Sequence, residues 1–229
     1  IPDPFTLENY KQAFTLLPFG QYFLNTIIIV AAVMAGTLLT SSICAYGFSR
    51  IEWKGRNLVF SLILSSMMLP YAATLIPTLI GWSKVGAINT YLPLTIPAWF
   101  GGGAFNIFLL KQFFQGIPRE LDESAVMDGA GHFTIYSRII LPLVKPALVV
   151  VALFTFMNTW NDFLAPLIYI NDDNKFTLAL GLQLFTSQYT AQWHLLMAAA
   201  TVILIPVVIV FLFGQKYFIE GITMTGLKG

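Results

Sequence analysis

An all-α, polytopic membrane protein is the fold class this sequence predicts, and three observations predict it. Of 229 residues, 57% are hydrophobic and only 10% charged, against about 25% charged in soluble domains. Mean hydropathy is +0.75. The apolar residues gather into charge-poor runs long enough for a bilayer, which roughly 20 helical residues can cross. Separate segments in lipid must close their backbone hydrogen bonds internally, so each run is a helix. The same composition excludes other classes. Net charge is +1, with no basic stripe or RNA-binding pattern, so no nucleic-acid partner is expected. The single cysteine, Cys44, lies in an apolar run and has no internal disulfide partner.

Taken in order, the runs place spans near residues 21–48, 57–80, 89–113, 141–170 and 195–217, within one transmembrane domain covering 1–229. Basic residues then set the orientation, because loops rich in Lys and Arg stay on the cytoplasmic side. Arg50, Lys54 and Arg56 share one loop, Lys111, Arg119, Arg138 and Lys145 flank another, and Lys216 and Lys228 lie at the end. The opposite side holds Lys11, Lys84 and Lys175. The carboxyl terminus is therefore expected in the cytoplasm and the amino terminus outside. Because the chain starts Ile1-Pro2-Asp3-Pro4 with no apolar leader, we expect a further span upstream, six in all. The other reading is a five-span protein with an unusual insertion route.

Several spans carry helix-disturbing residues: Pro70 and Pro77, then Pro93, Pro97 and Gly101-Gly102-Gly103, then Pro206. Kinks and close packing are expected there. Met67 and Met68, just before Pro70, suit either an adaptable apolar gate or a lipid-facing surface. The fourth run is the most polar, with Asn158, Trp160, Asn161 and Asp162 inside an apolar stretch. An acid within a span costs a few kcal/mol, so Asp162 should face protein or water. It stands about 25 Å from Lys145 at 1.5 Å per helical residue. Amides, a carboxylate and an indole suit sugar hydroxyls and sugar faces, which favours a polar translocation path; an interhelical hydrogen-bond cluster fits nearly as well.

The segment 118–131 reads as a polar helix and turn. Gly116, Pro118 and the acids Glu120, Asp122 and Glu123 make a helix start. Gly129 and Gly131 supply backbone freedom to end it. Ala125 and Ala130 permit close approach of a partner, and Glu123 suits a basic residue across an interface. Taken alone, these charges also fit a solvated surface helix. The full spacing runs Glu123-Ser124-Ala125, three residues, Gly129, nine residues, Ile139, one residue, then Leu141-Pro142. This resembles the EAA loop of ABC-type importer permeases, with Ser124 replacing the middle Ala.

PDPFTLENYKQAF followed by Asn25-Thr26, TWNDFLAPLIYI, GLQLF, QYTAQW and the ending GITMTGLKG are similar to the carbohydrate-uptake branch of that family, like the smaller permease of maltose-type systems. The resemblance covers nearly the whole chain and implies the type I ABC importer permease fold. It also implies a bacterial cytoplasmic (inner) membrane location, a second homologous permease, two ATPase subunits that bind ATP and Mg, an extracytoplasmic solute-binding protein and a carbohydrate substrate. Glu123, Ser124, Ala125, Asp128, Gly129, Leu141 and Pro142 would couple to the ATPase. Residues 171–194 would form an external loop, with Asp172, Asp173, Asn174, Tyr189, Gln192 and Trp193 meeting the binding protein; Tyr189 and Trp193 equally suit membrane-interface aromatics. The tail Thr225–Gly229 would reach between the ATPases. No G-x-x-x-x-G-K-[ST] loop occurs, so ATP is expected only in the partners. His132 and His194 lie far apart with no Cys nearby, no metal spacing is present, and no catalysis is expected in this chain. An importer for another solute, or a membrane scaffold or channel needing no nucleotide, are the competing readings.

Overall fold

The computed structural model describes residues 6–187 and 192–226, with the side chains of Ser187 and residues 217–226 left out. All regular elements among the described residues are helical. They are α1 (Glu8–Leu16), α2 (Phe19–Ser49), α3 (Arg56–Ser66), α4 (Tyr71–Lys84), α5 (Leu92–Thr95) with a 3-10 turn at Ile96–Trp99, α6 (Ala104–Gly116) and α7 (Glu120–Met127). Next come α8 (His132–Thr134), a π-helical turn at Ile135–Ile140 and α9 (Leu141–Leu143). The chain continues with α10 (Lys145–Trp160), α11 (Leu164–Tyr169), a 3-10 turn at Asp173–Lys175, α12 (Leu178–Ser187) and α13 (Trp193–Gly226).

Three stretches are long and apolar enough to cross a membrane alone: Phe19–Ser49, Leu92–Gly116 and Trp193–Lys216. The other two expected spans are sharply bent pairs. α3 and α4 meet at 97°. The bend follows from Pro70, which precedes α4 in an extended conformation (φ −67°, ψ 139°). Proline donates no N–H to the helix before it and drives the preceding residue out of the helical region. The expected span over 141–170 is likewise divided. His132–Leu143 meets α10 at 78°, and α10 itself stops at Trp160.

The middle of the chain packs around α2, against which α6, α10, α12 and the 3-10 turn at Ile96–Trp99 all lie. Small residues on α2 make this close. The Trp99 indole sits where a Cβ on Gly36 would be, at 2.8 Å. Gly102, at φ +66°, lies so near Thr37 that an added Cβ would fall 2.6 Å from its carbonyl oxygen. Any side chain there meets both a left-handed backbone and a backbone wall. One core gathers at the α12 end, built from Phe19, Tyr22, Phe156, Trp160, Leu178 and Phe185. A second, at the other end, joins Tyr46, Leu110, Phe114, Ala125, Ile135, Tyr136, Ile140 and Val151. The described residues of 171–194, expected as a loop, are therefore mostly helical: α12 packs on α2 and α13 and contributes to the first core.

Candidate functional site

The segment 119–142 forms a short exposed helix on a packed base. Glu120, Asp122 and Glu123 occupy the first turn of α7, where carboxylates meet the positive end of the helix dipole. Its other end closes through a Schellman arrangement. Gly129 has φ +81°; its N–H donates to Val126 O at 2.9 Å, and Ala130 N–H donates to Ala125 O at 2.9 Å. The glycine of the EAA spacing is thus the left-handed residue that ends the helix. Gly131, by contrast, is extended (φ −80°, ψ 166°), so one glycine makes the stop and the other does not.

The faces of α7 divide sharply. Ala125, expected to meet a partner, turns inward and is 8% exposed in the second core. Its small size serves close packing within the chain. Glu123, Ser124, Asp128 and Gly129 are exposed, and Ser124 Oγ donates to Glu120 O at 2.6 Å. Hydroxyl for methyl therefore adds no unpaired donor to the exposed face. Leu121, Val126, Phe133 and especially Met127, 88% exposed, add an apolar rim. These four escaped the sequence reading, although large apolar residues in an otherwise polar turn were the available signal. Leu141 packs on the second core while Pro142 is exposed.

Arg50 anchors the segment. Its side chain is only 3% exposed, and Nη1 donates to Asp122 Oδ2 at 3.1 Å. Nη2 donates to Phe114 O and to Ile117 O, the latter at 2.9 Å, at the carbonyl end of α6. A guanidinium suits this role because its planar fork serves acceptors on two elements at once, and a cation complements a helix C-terminus. An exposed pair, Arg119 and Glu52 at 3.1 Å, spans the same junction. In sequence Arg50 marks only the loop's orientation, since its acid partner lies 72 positions away.

The residues expected along a polar path are separated by the fold. Asn158 and Asn161 are exposed, as are Met67 and Met68, the latter 84% exposed at the α3–α4 bend. Asp162 lies just past α10, and its Oδ1 accepts Ala165 N–H at 3.2 Å, capping α11. It lies between two helices instead of inside a continuous span. Trp160 is a correction: at 1% exposure it stacks on Phe156 with centroids 5.2 Å apart, and its Nε1–H donates to Ile203 O at 3.3 Å. An indole with Phe156 stacked on it, Phe23 edge-on and its N–H bonded to α13 packs two helices, and at 1% exposure it offers no face for a sugar.

At the opposite end, the Asp172-Asp173-Asn174 turn is pinned from below. Asp172 Oδ1 accepts Asn174 N–H at 3.0 Å. Asn89, at φ +61°, uses its Oδ1 to accept the N–H groups of Asn171 and Asp172 at 3.2 and 3.0 Å. Lys175 Nζ donates to Asn89 O at 2.8 Å. Asn25 Nδ2 donates to Asn174 O and Phe176 O at 2.8 and 3.0 Å. Asn89 also leaves no trace in the sequence, where a lone Asn before Thr90 carries no sign of its partners. Gln192 precedes α13 and Trp193 is exposed at its start, while Tyr189 lies outside the described residues. His132 is exposed, with Nδ1 3.4 Å from Tyr46 Oη. Among the described residues, no three His, Cys, Asp or Glu come together as a metal site.

Comparison with known proteins bears on the same geometry. Residues 37–223 match the model of the family described as "Binding-protein-dependent transport system inner membrane component". Over 229 residues the chain is 34% identical to the arabinooligosaccharides transport system permease protein AraQ of Halalkalibacterium halodurans, covering 100% of this chain and 81% of that one. It is 36% identical over 227 residues to the maltodextrin transport system permease protein MdxG of Bacillus subtilis, covering 98% and 81%. A chain from the crystal structure of a bacterial ABC transporter that imports the acidic polysaccharide alginate superposes with a TM-score of 0.81 at 24% identity, covering 92% of this chain and 79% of that one. At that identity the likeness is one of fold.

Proposed function

This chain belongs to the family of binding-protein-dependent transport system inner membrane components, and from that premise we propose that it is the permease subunit of an ATP-driven importer of sugars or oligosaccharides. As a member of that family it is a transport component of the inner membrane. The sugar class rests on its likeness, over nearly its full length, to permeases of arabinooligosaccharide and maltodextrin systems. In this reading the subunit pairs with a second homologous permease to enclose the path. Two ATPase subunits, which hold the ATP and Mg, lie on the cytoplasmic side with the chain's carboxyl terminus. A solute-binding protein docks on the opposite face, in a bacterial cytoplasmic membrane.

One observation carries the coupling reading: α7 presents Glu123, Ser124, Asp128 and Gly129 beside an apolar rim while Ala125 and Asp122 hold it to the chain. A rigid, exposed helix with a mixed charged and apolar face suits docking into a groove of a partner. Leu141 and Pro142 begin the stretch that carries its displacement into α10. Asn158, Asn161, Asp162, Met67 and Met68 stand as candidate path residues, without Trp160. Asp172, Asp173, Asn174, Gln192 and Trp193 stand as the candidate contact for the binding protein.

The test is ATP hydrolysis and uptake by the assembly in liposomes, with and without loaded binding protein, comparing native chain with Glu123→Lys. Like charges set against each other at an interface cost several kcal/mol, so uptake should fall about 100-fold or more and binding-protein stimulation should vanish. Unchanged stimulation and uptake would sink the coupling assignment and favour a channel or scaffold.

A further inference from the structure

Two residues of α2 and Arg50, which caps its C-terminus, are spaced four apart and contact three successive points of the segment that contains α7. Positions four apart on a helix share one face. Ser42 Oγ lies 2.8 Å from Tyr136 Oη. One turn on, Tyr46 packs edge-on against both Tyr136 and His132, with ring centroids 5.3 and 6.4 Å apart. One further turn on, Arg50 holds Asp122 at 3.1 Å and the carbonyl end of α6. Ala45 and Ser49, both buried, fill the same region of α2, with Ala45 in the core that includes Ala125 and Ile135. The segment from Asp122 to Tyr136 is thus tied at three points, over about two turns, to a helix distant from it in sequence.

We propose that the Ser42–Tyr46–Arg50 ladder makes α2 and the α7 segment a single moving body, with Arg50 as the positioning residue that couples them. The proposal rests on the coupling role given to α7 above. Chain connectivity alone would pass a push on α7 only to α6 and, through α8 and the π turn, to α10. The ladder sends it also into α2, the 31-residue helix on which α6, α10 and α12 pack. Packed elements have discrete arrangements, so a body held at several points shifts as a unit. Arg50 sits at the end of α2 nearest α7 and, alone in the ladder, adds an ion pair to its hydrogen bonds, joining α6 and α7 at once, so it carries the largest share of this link. Lysine in its place keeps the charge but not the planar fork needed to serve Asp122 and two carbonyls together.

The exposed pair Glu52 and Arg119 offers a test outside the ladder, because its side chains already meet at 3.1 Å across the same two parts. In the complete transporter, with Cys44→Ser, the double variant Glu52→Cys, Arg119→Cys is joined by a short bifunctional thiol reagent, and linkage is verified by mass spectrometry. If the two parts move together, linked and unlinked transporters carry solute at the same rate. Arrest on linking, reversed when a cleavable reagent is cut, overturns the proposal. In Arg50→Met, and in Arg50→Lys should the first fail to assemble, solute carried per ATP hydrolysed should fall by about 5- to 150-fold, the span of ordinary coupling between sites. Linking positions 52 and 119 should restore it, which a merely destabilised subunit would not show. A native ratio in the Arg50 variants overturns the proposal while leaving the α7 reading intact, and a native ratio in Glu123→Lys strikes the α7 reading itself.

Discussion

Gly129→Ala isolates a single physical term, the cost of a left-handed backbone. At φ +81° an added Cβ at this position meets nothing within 4 Å, so no steric contact with the rest of the chain confuses the result. The penalty arises between the new Cβ and its own backbone, at roughly 1–2 kcal/mol. That strain either persists or opens the two hydrogen bonds from Gly129 and Ala130 that close α7. Gly116 is the matched control. It is the last residue of α6, also with nothing within 4 Å of an added Cβ, and has no positive φ. Alanine there should be neutral or stabilising by up to about 1 kcal/mol. Amide hydrogen exchange of the purified complex reads the difference directly, because local opening of a short exposed helix sets its exchange rate. In Gly129→Ala the α7 amides should exchange about 5- to 30-fold faster, whereas Gly116→Ala should leave them unchanged or slower. Native exchange in Gly129→Ala, or equal acceleration in both variants, would refute the assignment of Gly129 as the conformational stop.

Trp160→Ala should lower stability by about 3–5 kcal/mol, visible as a lower melting temperature of the purified subunit complex. Trp160→Phe should keep the ring on Phe156 and retain the native apparent KM for uptake; a raised KM with an unshifted melting temperature would return Trp160 to the path. Asn89→Ala should free the Asn171 and Asp172 amides at a cost of about 1–3 kcal/mol and speed proteolysis of the 171–176 turn. Asn89→Asp, which keeps the acceptor and tolerates positive φ, should stay close to native, and equal proteolysis in all three forms would show that Asn89 does not hold the turn.

What the sequence makes legible here is what repeats along it. The apolar stretches of α2, Leu92–Gly116 and Trp193–Lys216 stand out because a bilayer demands length, and length survives in composition. The α3–α4 bend does not, since Met67, Met68 and Leu69 are as apolar at the corner as the residues on either side. Pro70 signals a disturbance but not its 97° angle. The helix α12 stays hidden for the opposite reason: ten residues are too few to read as a span, so an apolar LALGLQLF reads as part of a loop. Within the candidate site, the acid-led start and the Gly129 stop of α7 are local and were readable. The partners of Arg50 and Asn89 lie 72 and more than 80 positions off and leave no local trace. Trp160 shows a further limit, because one residue type serves both stacking on a ligand and packing in a core, and only its enclosure by Phe156, Phe23 and α13 separates the two.

The distance in sequence between Arg50 and Asp122 also orders events during synthesis. A ribosome adds about 5–20 residues per second, so α2 waits roughly 4 to 14 s for the acid that will neutralise its terminal arginine. Over that interval the guanidinium has neither Asp122 nor the carbonyls of Phe114 and Ile117, and its only comfortable surroundings are water and lipid headgroups at the membrane edge. Its entry into the protein interior therefore records that the intervening spans have been delivered and folded back. A nascent subunit that misplaces them keeps at its surface an unpaired cation that the finished one buries.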